Sequence, residues 1–116
     1  MQCPLDYSLC DQTVTIYRFD PDGVHRRVVR NALYRYETCQ IRGEDGVTMD
    51  RKFTLIIPGD AKLLPGDRVY DGIGPVVKPP QWASFLPVTV PGLSQIQRVE
   101  YGLWLGKICH TEAGRK

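Results

Sequence analysis

The chain has 116 residues, 42% of them hydrophobic and 24% charged, the composition of one soluble domain with a single modest core. Its net charge of +2 is too small to mark a nucleic-acid footprint by itself. No apolar run approaches the roughly 18 residues of a membrane span. The amino terminus, Met1-Gln2-Cys3-Pro4-Leu5-Asp6, has neither the basic nor the apolar region of a secretory signal, which points to synthesis in the cytosol.

Residues 1–12 show no clear period and read as an irregular amino-terminal arm. Thr13 to Phe19 is rich in β-branched and aromatic residues and predicts a strand. Asp20-Pro21-Asp22-Gly23 is turn chemistry, because proline presets its φ and glycine permits a positive one. Val24 to Arg30 then returns as the second arm of a hairpin, and Asn31 marks a bend. Arg26, Arg27 and Arg30 form one basic patch in sequence, with Arg26 and Arg30 on one face of a strand and Arg27 opposing them. Its simplest reading is a solvated strand edge.

Ala32 to Ile57 predicts a long β-hairpin around Gly43-Glu44-Asp45-Gly46. In the downstream arm Val47, Met49, Phe53, Leu55 and Ile57 share one face, interrupted by Arg51. Thr48, Asp50, Lys52 and Thr54 take the other. Pairing Arg42 with Val47 sets Tyr36 opposite Phe53, Tyr34 opposite Leu55 and Ala32 opposite Ile57 on the apolar face, with Glu37 opposite Lys52 outside. A slip of one residue would invert both faces.

Two copies of one turn follow, Pro58-Gly59-Asp60 and Pro65-Gly66-Asp67, with Ala61 to Leu64 as a short helical or extended turn between them. Arg68-Val69-Tyr70 predicts a brief strand, and Asp71-Gly72-Ile73-Gly74-Pro75 turns again. Such a turn, strand and glycine kink let a chain cross from one sheet to another. Residues 75–92 contain Pro75, Pro79, Pro80, Pro87 and Pro91 and read as a long loop without regular helix. Its Trp82, Phe85 and Leu86 either lid the end of a barrel or contact a partner. Gln95 to Tyr101 predicts a strand, Gly102 to Gly106 a turn, Lys107 to Thr111 a last strand, and Glu112 to Lys116 a polar tail. At least six strands and no 3.6-residue period give an all-β fold, a small β-barrel or sandwich of antiparallel hairpins over residues 13–111.

Recognisable catalytic chemistry is sparse. Cys3, Cys10, Cys39 and Cys109 are irregularly spaced and form no CxxC pair, so neither a disulfide framework nor a zinc site is expected. In an extended segment Cys109 and His110 point to opposite faces, which argues against a nucleophile and its base. The sequence lacks GxSxG, GxxxxGK[ST] and GxGxxG. Turn preference accounts for Asp20 and Asp22, which are too close together to make a calcium loop alone. Tyr34-Arg35-Tyr36 interleaves aromatic and basic residues as single-strand nucleic-acid binders do, but the hairpin register turns both tyrosines inward. No catalytic, cofactor or metal residue is assigned, and an enzyme is not expected.

The order RKFTLIIPGD, PGDRVYDGIGP, a proline-rich link with Trp82, then VEYGLWLGKICHTEAGR resembles small proteins from the structural modules of tailed phages and prophages. Those proteins sit among head–tail connector and minor capsid proteins. The resemblance covers roughly residues 51–115, with TVTIYRF as weaker support. It implies a virion protein of the neck: a connector, head-closure or tail-completion component, made in the host bacterial cytoplasm. It would assemble in a ring around the DNA channel and meet portal, adaptor or tail proteins, without cofactor or membrane. Trp82, Phe85 and Leu86 are then the candidate subunit contacts, and Arg26, Arg27 and Arg30 the candidates for facing passing DNA without sequence specificity. The alternative is a small cytosolic β-barrel that binds nucleic acid or a peptide.

Overall fold

The computed structural model describes the backbone of residues 7–43, 46–87 and 90–115, and the side chains of these except residues 36–51. Seven strands run β1 (Gln12–Asp20), β2 (Gly23–Gly43), β3 (Gly46–Pro58), β4 (Arg68–Asp71), β5 (Leu93–Gln95), β6 (Arg98–Trp104) and β7 (Lys107–Gly114). They pair in the order β5-β4-β1-β2-β3-β7-β6, antiparallel at all six ladders, as a curled half-barrel. The all-β expectation holds.

The central hairpin has the expected register, including Arg42 with Val47, Glu37 with Lys52, Tyr36 with Phe53 and Tyr34 with Leu55. Its loop residues Glu44 and Asp45 lie outside the described residues, as do the side chains of Tyr36, Cys39, Met49 and Arg51. The bend expected at Asn31 is a bulge. Val14 pairs with Val29 but Gln12 pairs with Ala32, so β2 carries one extra residue between them. That bulge bends a single 21-residue strand that serves two layers. Its first half pairs with β1 and its second half with β3.

The opposite seam is made by two residues. β5 and β6 are the two ends of the strand order, yet only Ile96 and Gln97 separate them. The Ile96 N–H donates to Asp67 O at 2.8 Å, on the β4 side, while the Gln97 N–H donates to Gly114 O at 3.0 Å, on β7. The sheet therefore has to roll until its two edges meet at this corner. Ile96 is fully buried inside the roll with Val14, Ile16, Tyr34, Phe53, Leu55, Leu63, Val69 and Ala113. Fully burying a side chain such as Leu55 contributes about 1.5–3 kcal/mol.

Two expectations change at the carboxyl end. β6 continues to Trp104, and the turn shrinks to Leu105 and Gly106, both with positive φ (50° and 78°). Glu112 to Gly114 is not a tail. It is the end of β7, paired to β3 on one side and β6 on the other, with Ala113 fully buried. Short and charged residues concealed a strand whose stability comes from having neighbours on both edges. Lys116 lies outside the described residues.

A second apolar cluster covers the outer face of the β1-β4-β5 layer. Tyr17 and Leu93 meet Val77 and Phe85 from the proline-rich segment, with Tyr70, Trp82 and Val90 packed around them. That segment contains a short 3-10 helix, Pro79–Ser84, where no helix was expected. The Asp71-to-Pro75 kink is held by β1. The Thr15 hydroxyl donates to Gly72 O and accepts from the Gly74 N–H, and the Tyr17 hydroxyl donates to Pro75 O at 2.6 Å. A Cβ on Gly74 would collide with the Tyr17 hydroxyl. Gly74→Ala should therefore cost about 1–3 kcal/mol by overpacking, measured as a lower denaturant midpoint with an unchanged slope.

Candidate functional site

The structure gives each candidate residue of the proline-rich segment a definite neighbour. Phe85 is buried, with its ring edge-on to Tyr17 at 4.7 Å. Leu86 is half-buried, and its carbonyl accepts from the Val90 N–H. Trp82 is half-buried, stacked with Phe19 at 5.6 Å, and its ring lies 3.8 Å from the guanidinium carbon of Arg68. Arg68 itself is 7% exposed, and its Nη1 donates to the carbonyls of Trp82 and Phe85. Burial pushes its pKa down, and its Nε has no hydrogen-bond partner. The side chain is a strut. It fastens the end of the 3-10 helix to β4 through two carbonyls and one ring, which is how a buried guanidinium with no carboxylate partner among the described residues is tolerated. Arg68→Ala should free this segment and speed hydrogen exchange of the Phe85 amide at least tenfold, while amides of Leu55 and Phe53 keep their protection relative to global unfolding.

Arg26, Arg27 and Arg30 are all exposed, and each has its own surroundings. Arg26 stands beside Tyr17 in the β1–β2 ladder and donates from Nε and Nη2 to Gly74 O. Arg27 stands beside Ile16 and donates from Nη2 to Ala61 O at 2.6 Å. Arg30 lies at the bulge of β2, between Val29 and Ala32.

Arg27 joins residues from two other elements around a cleft of about 350 Å³ at the β1–β2 end of the roll. Ile16, Arg18, Asp20, His25, Arg26, Arg27 and Lys62 line it. Arg18 makes a fork to Asp67, Nε to Oδ1 at 2.9 Å and Nη2 to Oδ2 at 2.7 Å, and its Nη2 also donates to Lys62 O. Asp67 is 3% exposed and also accepts from the Leu64 N–H. Asp60 holds the Lys62 N–H in the same way, and Lys62 adopts a positive φ of 54°. Each copy of the repeated Pro-Gly-Asp turn thus spends its aspartate on a nearby backbone N–H.

At the rim, His25 Nε2 lies 2.8 Å from Asp20 Oδ2, and Asp20 Oδ1 accepts from the Asp22 N–H. Burial pushes the Asp20 pKa up, but these hydrogen bonds outweigh it and hold the carboxyl below its usual range. Asp20, Asp22 and His25 bring possible metal ligands within 4.8 Å of one another at this exposed turn. Closing the hairpin accounts for the arrangement.

Two projections remain. Beyond Arg35 and Thr54 the central hairpin has no flanking strand among the described residues. β1 pairs with β2 only up to Ala32, and β7 pairs with β3 only from Thr54. The ladder nevertheless continues to Gly43 and Gly46. This two-stranded arm is about 25 Å long at the usual rise per residue. It accounts for a radius of gyration of 15.3 Å, against about 13 Å for a compact chain of this size. At the other end of β3, the tip of the β6–β7 hairpin exposes Tyr101, Leu103, Trp104, Leu105 and Ile108, with Leu103 and Leu105 about two-thirds exposed. Leu103 pairs with Ile108, and Trp104 points to the opposite face, so the tip is apolar on both sides.

No family model, curated protein or solved structure matches the chain.

The cysteine and histidine of β7 have definite roles. Cys109, at the β7 bulge, is disulfide-bonded. Its sulfur is therefore not a free thiolate. His110 is nearly buried, and Tyr7 packs edge-on against it with its hydroxyl 2.7 Å from Nδ1. The last residues of the amino-terminal arm thus dock on β7, while residues 1–6 lie outside the described set. Cys10 is a free thiol whose pKa is raised by burial and by Asp11. Iodoacetamide should modify Cys10, slowly near neutral pH, without reduction, and Cys109 only after reduction. Peptide mass mapping with and without reductant checks both.

Sequence reading singled out Arg27 but missed Arg18, Lys62, Arg68 and the apolar tip. Only folding brings the first two to Arg27. The tip could have been found from the run Gly102-Leu103-Trp104-Leu105-Gly106, which is too apolar for an ordinary exposed turn.

Proposed function

We propose that this chain is a structural subunit of a phage or prophage neck, a connector, head-closure or tail-completion component that works by assembling in a ring around the DNA channel. The observation that carries this reading is the free two-stranded arm of β2 and β3. A ribbon of two strands is marginally stable in water and gains most when a neighbour adds strands or an apolar surface to it. The fold supplies such a surface at the far end of β3, in the apolar β6–β7 tip. Its five large side chains each offer on the order of 100 Å², in total near the upper end for a patch on a monomer. A projection at one end and an apolar patch at the other suit a head-to-tail contact, which closes into a ring when the rotation between neighbours permits. The partners are further copies of this chain and the portal, adaptor or tail proteins of the same particle.

The test is mass in solution by light scattering, with the protein alone and with portal and tail proteins. We expect a ring, or a complex that forms with one of those partners. Replacing residues 38–51 by a two-residue Asn-Gly turn, which keeps Glu37 opposite Lys52, should abolish assembly and leave a folded monomer with unchanged core amide protection. Leu103→Ser with Leu105→Ser should weaken assembly at least tenfold. A wild-type chain that stays monomeric with every such partner would refute the neck reading.

A further inference from the structure

We propose that the cleft at the β1–β2 end of the roll is a binding site for a phosphoryl group. Four cationic side chains line it, Arg18, Arg26, Arg27 and Lys62, against one lining carboxylate, Asp20. They come from β1, β2 and the loop between β3 and β4, so the cluster exists only in the folded chain.

These cations are held in place largely without being neutralised. Arg27 is fixed by the carbonyl of Ala61 and Arg26 by that of Gly74. Arg18 is braced by the carbonyl of Lys62, and among the described residues it is the one of the four with a close carboxylate partner, the buried Asp67. A carbonyl orients a guanidinium while leaving its charge in place, and a site ordered before the ligand arrives loses less entropy on binding. Open donors remain on these lining side chains. Nη1 of Arg18, Nε and Nη1 of Arg27 and Nζ of Lys62 make no hydrogen bond to the described residues. Lys62 also occupies the left-handed region, an uncommon conformation for a side-chain-bearing residue.

The ligand chemistry follows from the donors. Guanidinium edges match the paired oxygens of a phosphoryl group, and an ammonium adds a point charge. A volume of about 350 Å³ accommodates one or two phosphoryl groups. The same chemistry is presented by a polynucleotide backbone and by a free phosphoryl anion. The site does not depend on the assembly reading above.

The experiment uses the full chain labelled with ¹⁵N. Pyrophosphate is titrated while backbone amides and arginine Nε signals are followed. A fluorescein-labelled DNA duplex is then titrated by anisotropy at two salt concentrations, with pyrophosphate as competitor. Shifts should centre on Arg18, Arg27 and Lys62. Arg27→Gln and Lys62→Gln should each weaken binding at least tenfold and lower the salt slope by about one. Lys62→Gln removes no side-chain hydrogen bond, so it reports on the site even if Arg27→Gln loosens the loop. Arg30→Gln, with the same charge change outside the cleft, should have no effect. Duplex binding displaced by pyrophosphate supports the site and identifies a nucleic-acid backbone as its source. Pyrophosphate binding alone supports the site and identifies a free phosphoryl ligand. No cleft shifts with either probe, or equal weakening by Arg30→Gln, would overturn the proposal.

Discussion

The corner at Ile96 and Gln97 is the constraint on which the architecture depends. Two strands at opposite ends of a seven-strand order are joined by two residues, and the three peptide units from Gln95 to Arg98 span at most about 11 Å. A flat sheet of that order would place its edges several strand spacings apart. The chain can satisfy both ladders only by rolling. The bulged β2 makes the bend on the other side, and between these two corners the core closes around Leu55, Val69 and Ala113. The remaining features are placed by this roll. The cleft lies where the β1–β2 turn meets the loop after β3, and the arm begins where the rolled sheet runs out of flanking strands.

How much of this the sequence discloses depends on the range over which each feature is determined. The central hairpin is legible to the residue because alternation and turn chemistry both act within it, and a slip would expose Phe53 and Leu55. The bend near Asn31 is legible as a punctuation mark but not as a bulge, since the extra residue is defined only against β1. The corner is not legible. Ile96-Gln97 contains no glycine or proline, and its break comes from a change of partner. The end of β7 is hidden for a similar reason, because Ala113 and Gly114 have weak strand character and are held by β3 and β6.

The candidate sites divide along the same line. Trp82 and Phe85 are conspicuous in sequence, and folding commits much of their surface to Tyr17, Phe19 and Arg68. The arginine run after the first turn is equally conspicuous, yet its members serve different neighbours. Arg26 braces the glycine kink, Arg27 enters the cleft and Arg30 marks the bulge. A cluster such as Arg18, Arg27 and Lys62 leaves no trace in spacing, because it depends on which loop is folded over which strand.

The arm also has a mechanical meaning. Its two strands enter the body as β2 and β3, and β2 takes part in both layers of the roll. Tension along β2 at the arm base would load its ladder with β1 lengthwise, so that its hydrogen bonds share the force rather than opening one at a time. The adjoining β3–β7 ladder would resist in the same manner. Just outside, where the sheet narrows from at least three strands to two, bending stiffness falls abruptly. The chain is therefore compliant at the junction and resistant to shear within the body, the division of properties expected of a tether fixed to an anchor.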